Sequence, residues 1–154
     1  LAAYAEMEQR VAERTSELAE TNRELTDQIT VRERIEHKLK HEALHDKLTG
    51  LPNRSHLQGR LGMALARYRQ RPEQPFAVLF LDLDRFNVVN EGLGHHAGDA
   101  LLVQVARRME RCLRETDTLA RMGGDEFTLL LDSVRSPEEA EVAVLRLLEE
   151  SIRL

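Results

Sequence analysis

The chain has 154 residues, of which 42% are hydrophobic and 32% charged, with a formal net charge of −5 at pH 7. This length is enough for one domain with a hydrophobic core, and the absence of a basic excess argues against nucleic acid as a partner. No apolar run is long enough to span a membrane. Cys112 is the only cysteine, which excludes an internal disulfide and favours a reducing, cytoplasmic compartment. A membrane or sensory segment upstream of Leu1 is left open.

Residues 1–45 contain neither glycine nor proline and predict one long helix. Apolar residues recur there at the spacing of a coiled-coil seam. The seam residues are Met7, Val11, Leu18, Leu25, Ile35 and Leu39. Polar residues interrupt the seam at Arg14, Thr21, Gln28 and Arg32. We therefore predict a weak coiled coil that pairs in parallel with a second copy, and the alternative is a single solvated helix.

Breaker residues in the segment Asp46–Arg54 end the first helix. Ser55 is predicted to cap a second helix, which ends before Arg71. Phe76–Leu81 is a continuous apolar run, which predicts a fully buried central strand.

The predicted strand leads directly into Asp82-Leu83-Asp84. Acidic side chains at the end of a buried strand are costly without a cationic partner, so a metal site is one interpretation. A strand that simply runs out into solvent would give the same pattern.

A short helix over Arg85–Glu91 is predicted to stop at the glycines that follow. After a loop, Asp99 is predicted to cap the next helix. His95 and His96 lie in this loop, but neighbouring loop residues rarely bind one ion together, so solvation or one nucleotide contact is favoured over zinc.

The last predicted helix starts at Ser136-Pro137-Glu138-Glu139, which combines a cap, a proline at the first position and a capping-box glutamate. Its spacing predicts a buried face formed by Val142, Leu145, Leu148 and Ile152.

The segment Arg121–Phe127 is the most informative part of the chain, because two glycines and two acids lie between two apolar runs. This pattern predicts a hairpin with Asp125 and Glu126 at its tip. Adjacent carboxylates repel unless a cation or solvent neutralises them, and an ordinary polar turn is the alternative. If the hairpin lies beside the strand over Phe76–Leu81, these acids and Asp82 converge. Such a group suits Mg²⁺ shared with substrate phosphates, which indicates nucleotidyl or phosphoryl transfer.

Taken in order, the motifs resemble those of the GGDEF family of diguanylate cyclases, from Asp46 to about Leu154. They are DKLTGLPNR at 46–54, LDLDRF at 81–86, Asn90, Gly94-His95, Gly98-Asp99, Arg114-x-x-Asp117 and RMGGDEF at 121–127. The resemblance implies an α/β (α+β) fold with a nucleotide-cyclase-like sheet flanked by helices over residues 46–154. It also implies that this domain is incomplete at its C-terminus, without the family's remaining strands and last helix. Residues 1–45 resemble the signalling helix that often precedes such domains.

The resemblance implies a reaction in which two GTP molecules, one on each of two facing domains, are joined into cyclic di-GMP with release of pyrophosphate. The implied cofactor is Mg²⁺, with Mn²⁺ as the alternative. The implied partners are GTP, cyclic di-GMP and a second copy of the chain bound through the N-terminal helix.

The resemblance also assigns roles to individual residues. Asp82, Asp125 and the backbone carbonyl of Leu83 match metal ligands. Asp125 further matches the catalytic proton acceptor for the ribose 3′-hydroxyl, with Glu126 beside it. The substrate-binding positions are Phe86, Asn90, His95, Asp99, Gly123 and Gly124, among which Asn90 and Asp99 match the guanine-reading residues. Arg114 and Asp117 match the product-inhibition site.

Asn87 departs from the family pattern, because it stands where a phosphate-binding lysine is usual. Glu91 in place of the usual aspartate is a milder change. The alternative function is therefore a weak or inactive domain that binds GTP or cyclic di-GMP and regulates a neighbouring domain. A third interpretation, supported only by residues 1–45, is a dimerising linker.

Overall fold

The computed structural model of this protein describes the backbone of residues 2–152 and the side chains of residues 5–149, so that Leu1, Arg153 and Leu154 lie outside it. The chain divides into two compact units, one ending at His41 and one beginning at Glu42. Within the described residues, no helix combines the length and the apolar character needed to cross a membrane.

Helices and strands follow one another along residues 2–152 in a mixed order. They are α1 (Ala2–Leu44), α2 (Arg54–Gln70), β1 (Ala77–Asp82), α3 (Phe86–Leu93), α4 (His95–Arg111), β2 (Thr118–Gly123), β3 (Glu126–Leu131) and α5 (Pro137–Ile152). The predicted mixture of a small sheet, flanking helices and a long first helix is confirmed.

The apolar residues of α1 remain exposed along its length. The seam residues Met7, Val11, Leu18, Leu25, Ile35 and Leu39 are each between 50% and 67% exposed. Exposed ion pairs of α1, such as Arg14 with Glu17 and Arg32 with Glu36, contribute little to stability. A polar helix of this length needs a partner to stabilise its apolar stripe.

The sheet is antiparallel and has the strand order β1-β3-β2 in the described chain. Leu79 of β1 and Leu119 of β2 both pair with Leu129 of β3. The prediction that Phe76–Leu81 is a fully buried central strand is wrong, because β3 occupies the centre and Phe80 of β1 is 83% exposed. Both faces of β1 are partly covered, because Leu79 packs against one hydrophobic cluster and Val78 against another, and this explains why the whole run is apolar although the strand lies at the edge.

Helices cover both faces of the sheet. The larger hydrophobic cluster places α4 and α5 against one face, through residues such as Val105, Phe127 and Leu147. The smaller cluster places α2 against the other face, through Leu57 and Leu130. Because β3 contributes alternate side chains to both clusters, it is the structural centre of this unit.

Two helix details differ from the sequence prediction. Asn53, not Ser55, caps α2, and its side chain accepts a hydrogen bond from the His56 N–H. The predicted buried face of α5 is also wrong, because Val142, Leu145 and Leu148 are 47–60% exposed, and the side chain of Ile152, the fourth predicted residue, lies outside the described side chains. The neighbouring face packs instead, and its residues in the core are Ala140, Ala143 and Leu147.

Candidate active site

A tight turn at Gly124 and Asp125 joins β2 to β3. Gly123 and Gly124 have φ angles of +142° and +54°, which a residue with a side chain adopts only under strain. An irregularity between Arg121 and Gly123 shifts the register, so that Gly123 pairs with Glu126. The predicted hairpin is confirmed. Of the two acids predicted at its tip, Asp125 lies in the turn and Glu126 is the first residue of β3.

The carboxylates of β1 and β3 meet at the same end of the sheet. Asp82, the last residue of β1, lies directly opposite Glu126 in the register. Side chains opposite each other on neighbouring strands project from one face, with Cβ atoms about 4.5–5.5 Å apart. The predicted convergence of the strand end and the hairpin is therefore confirmed, and the residue in register with Asp82 is Glu126 rather than Asp125.

An open cleft of about 260 Å³ lies beside these carboxylates. Arg54, the first residue of α2, lines this cleft together with Asp82 and Glu126. The buried hydroxyl of Thr128 also lines it and has no hydrogen-bond partner in the described part of the chain. Arg54 has no role predicted from the sequence, although it is the last residue of the motif at 46–54. The guanidinium of Arg54 is a cation in the same cleft as the two carboxylates, where it could bind an anionic group such as a phosphate.

The residues at this cleft fit a magnesium ion that is shared with a phosphorylated ligand. In the described chain, no three His, Cys, Asp or Glu residues form a group that could hold a metal ion unaided. Magnesium sites that include substrate phosphates commonly use only one or two carboxylates. Asp82 and Glu126 supply such a pair, with Asp125 next in sequence. The Leu83 carbonyl accepts a hydrogen bond from the Phe86 N–H at 3.2 Å and retains a second lone pair.

Arg121 fixes the turn to the loop that follows α1. Its Nε and Nη2 donate to the Gly124 carbonyl at 3.0 and 2.7 Å. Its Nη1 donates to both carboxylate oxygens of Asp46 at 2.9 and 3.1 Å. The Arg121 side chain is 11% exposed and that of Asp46 21%, so the charge-assisted bonds between these two residues are partly shielded from water, whereas the bonds to the Gly124 carbonyl lie at the surface. The backbone adds a further link, from the Arg121 N–H to the Pro52 carbonyl at 3.0 Å.

Asp46 is itself held in place by Thr49. Its Oδ1 accepts from the Thr49 N–H at 2.9 Å and from the Thr49 hydroxyl at 2.7 Å. Burial opposes ionisation of this carboxyl, but the hydrogen bonds from Thr49 and Arg121 outweigh it and hold the pKa of Asp46 below 3.8. The first family motif therefore supports the hairpin through an ionised aspartate.

Replacing this aspartate tests the link. We expect Asp46→Asn to lower the free energy of unfolding by about 1.5–3 kcal/mol, because Arg121 loses its charged partner. Since the pKa of Asp46 is lowered in the folded state, its stabilising contribution is present above pH 3.8 and is lost as the pH falls through the folded-state pKa. As the pH falls through that acidic range, the Asp46→Asn variant should therefore lose less stability than the unsubstituted chain.

Denaturant unfolding at several pH values measures both effects. Glu115→Gln is the control, because it removes an exposed carboxylate and should change stability by less than about 0.5 kcal/mol. Equal stabilities of Asp46→Asn and Glu115→Gln would contradict the proposed support.

The predicted guanine-reading residues lie on two helices that meet at Gly94. Gly94 has φ +85° and both ends α3 and precedes α4. Its N–H donates to the Asn90 carbonyl at 2.9 Å, and its own carbonyl accepts from the Gly98 N–H at 3.3 Å. The prediction that Asp99 caps α4 is wrong, because α4 begins at His95 and Asp99 lies inside the helix. His95, His96 and Asp99 are exposed.

Two residues of α3 face inward at this junction. The side chain of Asn90 is partly buried, and its Oδ1 is fully buried without a hydrogen-bond partner among the described residues. Phe86 is 8% exposed and belongs to the hydrophobic core. Asn87, the position of the usual lysine, is exposed.

Arg114 and Asp117 lie together after α4, at a cleft that Glu139 and Arg146 also line. The Arg114 N–H donates to Asp117 Oδ2 at 3.1 Å, and the Arg114 guanidinium pairs with Glu139 at 2.8 Å. Burial raises the pKa of Asp117 above its ordinary value, against the opposing effect of Arg114. The hydrogen bond from Arg135 N–H and the contact with Arg114 lower the pKa of Glu139.

Comparison with known proteins identifies the class of domain that this fold and site belong to. Residues 43–152 match the family described as "Diguanylate cyclase, GGDEF domain". The chain belongs to the GGDEF family.

Curated relatives carry related descriptions. The chain is 42% identical over 143 residues to the bifunctional diguanylate cyclase/cyclic di-GMP phosphodiesterase MucR of Pseudomonas aeruginosa, an alignment that covers 93% of this chain and 18% of that protein. It is 51% identical over 98 residues to the diguanylate cyclase TpbB of the same species, covering 64% of this chain and 22% of that protein. The chain thus spans about a fifth of the length of these relatives.

Solved structures agree with the fold. The coiled coil and GGDEF domain of DgcB from Caulobacter crescentus, in complex with c-di-GMP, superposes with a TM-score of 0.70 at 25% identity. That match covers 92% of this chain and 67% of that one. The GGDEF domain of TpbB gives a TM-score of 0.64 at 45% identity, covering 66% of this chain and 63% of that one. These matches support both the domain fold and the coiled-coil character of α1.

Proposed function

We propose that this chain is the cyclase part of a cytoplasmic protein that condenses two GTP molecules into cyclic di-GMP and pyrophosphate. In this proposal residues 1–45 form the signalling helix and residues 46–154 belong to the catalytic domain. The observation that carries the proposal is the register that sets Asp82 beside Glu126, at the turn that contains Asp125. Family membership and the named cyclases among the relatives support it.

Each side chain at the site has a chemical task in this reaction. Asp82 and Asp125, with the Leu83 carbonyl, would hold Mg²⁺, which neutralises charge on the phosphates when bound. Asp125 accepts the proton of the ribose 3′-hydroxyl, and Glu126 adds a second carboxylate beside it. Asn90 and Asp99 read guanine, because an amide and a carboxylate match its acceptor and donor groups. His95 and the turn glycines lie along the substrate.

Arg54 extends this assignment to the phosphates. It lines the same cleft as Asp82 and Glu126, and a guanidinium binds phosphate oxygens through paired hydrogen bonds. Arg54 thus supplies part of the positive charge that is missing at Asn87, where the family usually has a lysine.

Three forms of the full-length parent protein test the reaction with GTP and Mg²⁺. The parent should form cyclic di-GMP. Asp125→Asn should abolish product, because the proton acceptor is lost. Asn87→Lys should keep or raise the rate, because it restores one charge-assisted contact to phosphate. Such a contact is worth about 1.5–3 kcal/mol, or roughly a tenfold to hundredfold change in binding or rate. Chromatographic quantification of cyclic di-GMP distinguishes the three.

A parent that forms no product but binds guanine nucleotide would overturn the catalytic assignment. It would favour the second candidate function, a domain that binds GTP or cyclic di-GMP to regulate a neighbour. The observation in favour of this candidate is Asn87, which leaves an exposed amide where a phosphate-binding cation is usual. Arg114 and Asp117, which are joined by a hydrogen bond from the Arg114 backbone N–H, would then belong to a nucleotide-binding rather than a product-inhibition site.

A second copy of the chain is required by the reaction, since each domain brings one GTP. We propose that α1 supplies this contact through its exposed apolar seam, which is 63% exposed at Leu18 and 50% at Leu25. The polar residues within the seam limit its affinity.

Substitution in the seam tests the dimer. We expect the chain to self-associate weakly, and Leu18→Glu with Leu25→Glu to make it monomeric, because charges would enter an apolar interface. Sedimentation velocity over a range of concentrations measures this. The matched control is Glu20→Gln with Asp27→Asn, two charged residues on the solvent side of the same helix, and this variant should dimerise like the unsubstituted chain. An unsubstituted chain that stays monomeric at high concentration would contradict the proposal.

A further inference from the structure

We infer that Gly98 is a positioning residue that reserves the space occupied by the amide of Asn90. This inference rests on the proposed role of Asn90 in reading guanine. It goes beyond that role, because it concerns a second residue, Gly98, which determines the position of the Asn90 amide.

The evidence is the close approach of α3 and α4. A Cβ atom added at Gly98 would overlap Asn90 Oδ1, and it would lie 3.0 Å from Asn90 Cγ. It would also lie 3.1 Å from Phe86 Cζ. Gly98 is buried inside α4, so a methyl group there has no open side to turn towards.

Relief of that overlap must come from Asn90. The α4 backbone is tied to the junction by the Gly98 N–H, which donates to the Gly94 carbonyl at 3.3 Å, and the α3 backbone by the Gly94 N–H, which donates to the Asn90 carbonyl at 2.9 Å. The Phe86 ring is held in the core, with 8% exposure. The amide of Asn90 is the free end of a flexible side chain and can rotate away. Alanine at Gly98 would therefore displace the amide while the helices stay in place.

The displaced group is the one expected to bind the base. Asn90 Oδ1 is buried against Gly98 and has no hydrogen-bond partner among the described residues, so the position of the amide is set by packing rather than by a hydrogen bond within the chain. A recognition group that is held ready loses little freedom on binding, so moving it away reduces both affinity and selectivity.

Nucleotide binding by the full-length parent tests this inference. The probes are 3′-deoxy-GTP, which lacks the attacking hydroxyl, and 3′-deoxy-ATP, each with Mg²⁺ in a calorimeter. We expect Gly98→Ala to weaken binding of 3′-deoxy-GTP about tenfold, or about 1.4 kcal/mol. Binding of 3′-deoxy-ATP should change little. Gly92→Ala on α3 is the matched control, since a Cβ there meets nothing within 4 Å.

A double-mutant cycle separates positioning from general damage. Asn90→Ala should weaken 3′-deoxy-GTP binding by a similar factor, and adding Gly98→Ala to it should cost little more, because no amide remains to be displaced and only the contact with Phe86 is left. If Gly98→Ala fails to fold alone but folds together with Asn90→Ala, the steric contact is supported as well.

Three results overturn the inference. Gly98→Ala that binds like the parent, while Asn90→Ala is impaired, removes the role of Gly98 and leaves the proposed function intact. Equal losses from Gly98→Ala with and without Asn90 indicate general damage to α4. Asn90→Ala that binds 3′-deoxy-GTP like the parent removes the guanine-reading role itself, and with it the basis of the inference.

Discussion

The charged link between Asp46 and Arg121 is the interaction on which the candidate site depends. One guanidinium binds the Asp46 carboxylate on one side and the Gly124 carbonyl on the other. Through it, the loop after α1 determines the position of the turn that contains Asp125. Gly123 and Gly124 have positive φ and contribute no side chain to packing, so the hydrogen bonds from Arg121 to the Gly124 carbonyl help to set the position of the turn. The partly buried guanidinium of Arg121, which has a charged partner in Asp46, can supply that constraint.

This arrangement explains why motifs far apart in the sequence occur together. The segment Asp46–Arg54 supplies the partner of Arg121 at one end and a cation in the carboxylate cleft at the other. The central strand β3 joins the two faces of the sheet and sets Glu126 opposite Asp82. Acidic residues can be kept this close when a cation offsets their repulsion, which is the physical basis for proposing a magnesium–nucleotide site here.

The sequence predicted the features that depend on local pattern. The absence of breakers before Asp46 predicted α1, and the glycine pair predicted the hairpin. The convergence of Asp82 with the hairpin acids followed from the cost of leaving them clustered.

Features that depend on which neighbour covers a surface could not be predicted. The apolar run Phe76–Leu81 is compatible both with a central strand and with an edge strand whose two faces are each partly covered. On α5 two sets of apolar residues share a helical spacing, and the smaller side chains of Ala140 and Ala143 pack against the sheet while the larger Val142 and Leu145 are exposed. The residue that precedes α4 is Gly94 rather than the predicted Asp99, because the positive φ of Gly94 turns the chain sharply there and the helix begins at the next residue. The approach of Gly98 to Asn90 has no signature in the sequence, since it arises only when α3 packs on α4.

The most direct test of the account is whether the carboxylates bind a metal ion together with the nucleotide. Electron paramagnetic resonance can follow Mn²⁺, in place of Mg²⁺, as it binds the full-length parent with and without 3′-deoxy-GTP. The account predicts that the nucleotide tightens Mn²⁺ binding and that Asp82→Asn removes most of this gain. Mn²⁺ binding that is indifferent to the nucleotide, or unchanged by Asp82→Asn, would contradict it.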